Sequence, residues 1–259
     1  MEKATALVTG ASSGIGYELA RVFAEHGFDL VVTARREERL KELASVVPQG
    51  CEVTVIPADL GKAKGTEKLV REIESLGRPI DVLVNNAGVA ASGPFQAMRS
   101  EEVRQILQLN VRALTELTHA LLPGMIARGR GRILNVASVA GFHGVPGMSL
   151  YSASKAFVLA FTEGLSEDLR GTGVTVSVLC PGLTRTDMLH DLKDLELAAP
   201  FVATARDVAL EGYRACMSGE VIRVPGLMNQ ALVSWMQYQP RWLVRTVSGI
   251  VSRTTLNRP

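Results

Sequence analysis

A phenol and an ammonium stand four residues apart in the stretch Tyr151-Ser152-Ala153-Ser154-Lys155. On a helix this spacing sets both side chains on one face, one turn apart. A neighbouring cation favours phenolate over phenol, so a tyrosine that ordinarily ionises near pH ~10 is brought toward exchanging its proton near neutrality. That is the requirement for a general acid/base. Taken alone, the pentapeptide reads more plainly as a surface pair. Two further features favour chemistry: Ser138, a hydroxyl closing an apolar run upstream, and a glycine-rich turn near the start of the chain.

Elements able to position these groups follow from the alternation of short apolar runs with longer helical patterns. Strands are predicted at 5–9, 30–33, 52–57, 82–85, 132–136, 175–179 and 221–224, and helices at 16–25, 36–46, 66–75, 100–122, 152–169 and 205–217. Strand, helix, strand in succession implies right-handed crossovers and a parallel sheet covered on both faces. The unbroken apolar character of 82–84 and 176–179 fits strands buried on both sides. The expected fold is α/β: a doubly wound, Rossmann-type parallel sheet of about seven strands with helices on both faces.

The chain has 259 residues, of which 47% are hydrophobic, enough for one large α/β domain. We expect a catalytic and dinucleotide-binding domain over 1–225 and a helical, basic extension of the same domain over 226–259. No apolar run of membrane-spanning length and no secretory signal is found, which places the protein in the cytoplasm. Cys51, Cys180 and Cys216 share no metal-ligand spacing and read as buried thiols. No metal site is expected. His26, His119 and His190 have no partner pattern either.

The first predicted strand runs into Thr9-Gly10-Ala11-Ser12-Ser13-Gly14-Ile15-Gly16. Glycines allow a tight turn, let backbone approach a pyrophosphate and leave helix and strand room to pack, while the following helix offers amides and its dipole. Glycine-rich turns without function are common. The spacing is Gly-x-x-x-Gly-x-Gly, and here the sequence resembles the short-chain dehydrogenase/reductase family, whose catalytic set is Asn, Ser, Tyr and Lys. Asn85-Asn86-Ala87-Gly88 is similar to the family's segment after the fourth strand, and Asp59-Leu60 to the pair that meets the adenine ring. Pro181-Gly182-Leu183 with Thr186 resembles the segment that seats the nicotinamide amide, and Asn110 lies in the helix holding the fourth catalytic residue. The likeness spans roughly residues 4 to 190.

By that resemblance, Gly10, Ser12, Ser13, Gly14, Ile15, Gly16, Asp59, Leu60, Asn86, Ala87, Gly88, Tyr151, Lys155, Pro181, Gly182, Leu183 and Thr186 bind the dinucleotide. The catalytic set is Asn110, Ser138, Tyr151 and Lys155. The nicotinamide delivers hydride to a carbonyl carbon, Tyr151 supplies the proton, Ser138 hydrogen-bonds the oxygen and Lys155 stabilises the tyrosinate and holds the ribose. Asn110 bends its helix and places a water linking Lys155 to solvent.

Cofactor choice is read in Thr33-Ala34-Arg35-Arg36. Ala34 stands where an acid would hold the ribose hydroxyls of NAD, and Arg35 follows, suited to the additional phosphate of NADP. The plainer reading is that both arginines begin a solvated face. Ser13 replaces the second basic residue of some NADP-preferring relatives, so NADP(H) is expected as a preference, with NAD(H) not excluded.

His143 lies between Ser138 and Tyr151, where the family lines its substrate pocket, although a histidine among glycines is more often simply solvated. Met188 and Leu189 begin an apolar segment that the resemblance makes a lid, about 183–205, over a hydrophobic carbonyl or alcohol substrate. Relatives commonly form homodimers or homotetramers through the helices at 100–122 and 152–169. A non-catalytic, cofactor-sensing protein on the same fold is the alternative; retention of all four catalytic side chains favours an enzyme.

After Glu220 come five arginines and no acid, leaving a net −3 on residues 1–220 against +2 overall. In this tail Leu227, Met228, Ala231, Leu232, Trp235 and Met236 recur at helical spacing, as do Leu243, Val247, Ile250 and Val251. Such stripes pack on the domain or a second subunit, or form an amphipathic surface that also meets anionic lipid as a peripheral membrane contact. Nucleic-acid binding is not expected, because no dense basic cluster carries interleaved stacking aromatics.

Overall fold

The computed structural model describes residues 3–185 and 202–256. Its framework alternates as expected: β1 Thr5–Thr9, α1 Gly14–Glu25, β2 Asp29–Thr33, α2 Glu37–Val46, β3 Val53–Val55, α3 Gly65–Ser75, β4 Val82–Asn85, α4 Ser100–Leu107, α5 Leu114–Ala127, β5 Gly131–Val136, α6 Ser149–Asp168 and β6 Val174–Leu179. Two short strands, β7 Thr184–Arg185 and β8 Ala203–Thr204, pair with each other. They are followed by α7 Ala205–Ser218, β9 Ile222–Arg223, α8 Leu227–Tyr238 and α9 Arg241–Leu256.

The main sheet has seven strands in the order β3-β2-β1-β4-β5-β6-β9, and every pairing is parallel. The seven-stranded, doubly wound architecture is as read from the sequence. Strand order reverses between β1 and β4, and a crevice opens there at the carboxyl ends of the strands. Both sequence motifs richest in small residues, Gly10 to Gly16 and Asn85 to Gly88, follow those two strands.

Alternation along β1 explains why both faces must be covered. Ala6 and Val8 point into a core shared with Leu19 and Phe23 of α1 and Val208 of α7, whereas Leu7 joins Leu69, Leu83, Leu117 and Ile133 on the other side. Phe23 meets the ring of Tyr213 edge-on at 5.1 Å, and His26 stacks on the same tyrosine at 4.1 Å, so that histidine belongs to helix packing.

The predicted helix over 100–122 is instead two α-helices joined by a π-helical turn, Gln108–Ala113, and it runs on through Pro123 to Ala127. The proline is tolerated because the carbonyl it leaves unbonded, that of His119, lies on an exposed turn. The last strand is shorter than predicted. Only Ile222 and Arg223 pair with β6, after which Pro225 and Gly226 turn the chain into α8. Val233, Met236 and Val244 then pack α8 and α9 onto Val139, Phe142 and Val224.

Candidate active site

The turn after β1 is held by its neighbour across the crevice. Gly10 and Gly14 have φ of +68° and +58°, open to glycine at little cost. Asn86 donates its side-chain amide to the carbonyls of Thr9 (2.9 Å) and Gly10 (3.3 Å). The Thr9 hydroxyl accepts the backbone N–H groups of Asn86 and Ala87, each at 3.0 Å. A Cβ on Gly16 would overlap the Asn86 amide and the Gly10 carbonyl. Ser13 caps α1 in extended conformation without a side-chain hydrogen bond, and no acid occupies the first turn. The leading amides therefore point into the crevice with the positive end of the helix dipole, a fit for a pyrophosphate.

Beyond β2 the sequence reading needs an addition. Arg35 is exposed at the crevice edge, and Arg36 reaches back to the glycine-rich turn, its guanidinium donating to Ser12 Oγ at 3.3 Å. Arg36 was visible in the sequence only as the start of a charged face. After β3, Asp59 closes its own turn by accepting the N–H of Gly61 at 3.1 Å, while the Leu60 side chain is buried in the core. At that position the backbone and Asp59 are what remain to face a ligand.

Ser138 follows β5 and opens a short 3-10 turn, Val139–Gly141, its hydroxyl oxygen accepting the Ala140 N–H at 3.1 Å. Gly141 lets this turn lie directly on α6: a Cβ there would stand 2.9 Å from the Lys155 backbone. The same turn is tied to the next segment by Val139 N–H donating to Pro181 O at 3.0 Å. Tyr151 falls in the first turn of α6, and its phenol lies beside the Ser138 hydroxyl. Two groups thirteen residues apart in sequence thus converge on one point.

Burial dominates the electrostatics here. It raises the Tyr151 phenol above its ordinary value, and the neighbouring Ser138 hydroxyl offsets part of that rise. Lys155 is only 5% exposed, and desolvation pulls its ammonium down to about 8. Its Nζ donates to Val136 O at 2.8 Å and lies 5.8 Å from the Tyr151 ring centroid. The expected lowering of the phenol by the lysine is therefore not what this geometry produces, because the ammonium is turned toward the end of β5. Cys180 beneath it is pushed up to about 12 by burial, so it is a neutral thiol at pH 7 and supplies no counter-charge.

Asn110 sits in the π-helical turn and spends its amide on backbone. It accepts from Val89 N–H and donates to Val89 O, both at 2.9 Å, and donates to Ser154 Oγ at 3.0 Å. Ser154 in turn donates to the Tyr151 carbonyl at 2.7 Å. Gly88 lies between these groups: a Cβ on it would stand 3.3 Å from Asn110 Oδ1 and 3.5 Å from Lys155 Nζ.

His143 is half-buried with its Nδ1 lacking a hydrogen-bond partner, and desolvation lowers its pKa, favouring the neutral ring. Its loop is anchored by Val145 N–H donating to Ser152 Oγ (3.1 Å) and Gly93 N–H to Gly147 O (2.8 Å). Leu183 is exposed next to Gly182. Thr186, Met188 and Leu189, with most of the anticipated lid, lie outside the described residues. Asn229 of α8 carried no signal in the sequence. Its amide stands 2.5 Å from where a Gly182 Cβ would be, so the extension presses on the Pro181-Gly182 segment.

A switch-point crevice with a phosphate-fitting turn on one side and a phenol–hydroxyl pair on the other defines a dinucleotide-dependent oxidoreductase. Residues 4–196 match the family model for short chain dehydrogenases, and the chain belongs to that family. The ketoacyl reductase HetN of Nostoc sp. is 38% identical over 207 residues, 79% of this chain and 72% of that protein. A short-chain dehydrogenase from Sphingobium yanoikuyae, solved in complex with NADPH, superposes with a TM-score of 0.80 at 33% identity, covering 92% of this chain and 97% of the other. The bulky-bulky ketone specific alcohol dehydrogenase of Comamonas testosteroni gives a TM-score of 0.78 at 31% identity, covering 93% and 96%.

Proposed function

We propose that this enzyme interconverts a ketone or aldehyde and the corresponding alcohol on an apolar substrate, with NADP(H) preferred over NAD(H). The observation that carries the reading is the Tyr151 phenol set beside the Ser138 hydroxyl, with Lys155 buried one helical turn further along α6. The dinucleotide, when bound, supplies or accepts the hydride. Its phosphates would be held by the amides from Ser12 to Gly16, its ribose by Lys155, and its nicotinamide amide by Pro181 to Leu183 and Thr186. Arg35 and Arg36 flank the Ser12 end of that turn, where a further phosphate would meet two guanidiniums. The NADPH carried by the Sphingobium relative supports this preference.

During reduction a carbonyl oxygen seated between Ser138 and Tyr151 gains negative charge as its carbon accepts hydride. Ser138 donates a hydrogen bond to that oxygen, and Tyr151 passes it a proton, which closes the O–H bond of the alcohol. The tyrosinate left behind is stabilised by the Lys155 ammonium one helical turn away and is reprotonated from solvent. Asn110 acts through position: its bonds to Val89 and Ser154 fix the loop and the helix turn between which Lys155 lies.

The apolar substrate class is supported by the apolar run that includes Met188 and Leu189 and by the bulky-ketone enzyme among its relatives. Exposed Leu107, Ile126 and Phe157 on α4, α5 and α6 support a homodimer or homotetramer joined through those helices. A panel of ketones, aldehydes and alcohols run with NADPH, NADH and their oxidised forms tests the reading. Turnover on apolar carbonyls that is lost in Tyr151→Phe is expected. Full activity in that variant would refute the proton-transfer role, and binding without any turnover would favour the cofactor-sensing alternative.

A further inference from the structure

Helix α8 contains no charged residue, and its two sides have different fates. Val233 and Met236 are buried against the turn after Ser138, and Asn229 abuts Gly182. The other side is left bare. Leu227, Met228, Leu232 and Trp235 (45% exposed) run along it, continued by Tyr238 (86%) and Trp242 (61%) at the junction with α9. These are six of the thirteen exposed large hydrophobic side chains among the described residues, gathered on one short stretch. Of the sequence stripe, Leu227, Met228, Ala231, Leu232 and Trp235 form this outer face, while Met236 turns inward. Among the described residues nothing buries that face.

Charge distinguishes between the occupants such a face admits. Arg241 and Arg245 are exposed beside it, and from residue 221 onward the sequence holds five arginines and no acid. In a symmetric contact between two copies, neither α8 nor α9 would bring a carboxylate to the arginines of the other. The helices α4 to α6 already offer a separate apolar face for self-association, through Leu107, Ile126 and Phe157. An anionic bilayer meets both requirements at once: acyl chains for the aliphatic residues, the interfacial belt for tryptophan and tyrosine, and headgroup phosphates for the arginines. Among the described residues no helix is long and apolar enough to cross a membrane, so the contact is peripheral.

We propose that the outer face of α8, with the start of α9, docks on anionic lipid bilayers. The family model ends at residue 196, so this surface belongs to a part of the chain outside it. The inference does not depend on the hydride-transfer reading, since its test measures binding alone.

Both tryptophans of the chain, Trp235 and Trp242, lie on this face, so intrinsic fluorescence reports on it without a label. Full-length protein is mixed with vesicles of phosphatidylcholine alone or vesicles rich in phosphatidylglycerol, and emission and co-sedimentation are followed. A blue shift and sedimentation with the anionic vesicles, weakened about tenfold or more by Arg241→Glu with Arg245→Glu and by salt, is the expected result. The exposed positions of both arginines keep that variant's core contacts intact. Neither shift nor sedimentation would overturn the proposal. So would equal binding to both vesicle types, or indifference to charge reversal. Emission already blue-shifted without vesicles, rising with protein concentration together with the mass of a dimer, would also overturn it and assign the face to a second copy.

Discussion

Lys155 donates its Nζ proton to the carbonyl oxygen of Val136 at 2.8 Å, inside the domain and 5.8 Å from the centre of the Tyr151 ring. An ammonium held there loses its hydration and regains only part of it through that bond, which is why burial brings its pKa from 10.5 to about 8. Between these two values the unfolded chain binds more protons than the folded one. Stability therefore rises with pH across that window; the destabilisation is complete below about 8 and is relieved toward 10.5.

Lys155→Met removes this pH dependence. Relative to wild type, the variant's stability should be greater at pH 7 than at pH 10 by about 3 kcal/mol, at ~1.4 kcal/mol per pKa unit. Its absolute gain is smaller, because the Val136 carbonyl loses a donor. Denaturant melts of both proteins at the two pH values check this, and parallel curves would contradict it. The same variant should lose turnover, since no cation then faces the tyrosinate.

The pH profile of alcohol oxidation reports on Tyr151. Its phenol must first give up a proton, burial raises its pKa, and the neighbouring Ser138 hydroxyl works against that rise. Oxidation should climb with pH through the alkaline range, and in Ser138→Ala the rising limb should move to still higher pH along with a fall in kcat of about 10²-fold or more. A limb that stays in place while kcat falls would show that the serine acts only on substrate oxygen.

The sheet order and the placing of both glycine-bearing turns at the switch point were legible because they rest on apolar periodicity and on residue types without substitutes. The contact between Tyr151 and Ser138 was legible as a pair but not as an electrostatic balance. Spacing shows that Lys155 lies one turn from Tyr151, whereas only packing reveals that its ammonium turns to Val136 and that desolvation outweighs attraction. Arg36 was hidden by its surroundings, since Arg35 to Arg39 read equally well as a solvated helix start. Asn229 was hidden by distance: no local pattern tells that residue 229 lies against residue 182. The π-helical turn at Asn110 escaped for a related reason, because one inserted residue in a helix leaves the 3.6-residue pattern nearly intact over so short a span.

Cofactor preference should depend on both arginines after β2. Arg36 is bonded to Ser12 on the glycine-rich turn and Arg35 is exposed beside it, so each is in place to pair with a phosphate on the adenosine ribose. A charged hydrogen bond contributes about 1.5–3 kcal/mol, so Arg35→Ala or Arg36→Ala should raise KM for NADPH by roughly 10- to 100-fold and leave that for NADH within about threefold. Steady-state kinetics with the two cofactors decide it. An equal rise for both would mean that the arginines hold the turn and do not read the phosphate.

Gly16→Ala tests whether the turn is a cradle built around Asn86. The added methyl would overlap the Asn86 amide and the Gly10 carbonyl, so Asn86 must give up its bonds to Thr9 and Gly10 or the start of α1 must shift. Either response moves the leading amides from the positions in which they converge on a pyrophosphate. Overpacking of this kind costs about 1–3 kcal/mol, well within the reserve of a domain with two apolar layers. The variant should fold, melt several degrees lower and bind NADPH at least tenfold more weakly by titration calorimetry. Gly164→Ala is the matching control, since it lies within α6 with nothing near its missing Cβ. There the methyl meets no neighbour and favours the helix by up to about 1 kcal/mol, so stability should rise with cofactor affinity unchanged. If Gly16→Ala bound NADPH like wild type, the amides at the start of α1 could not be the phosphate site.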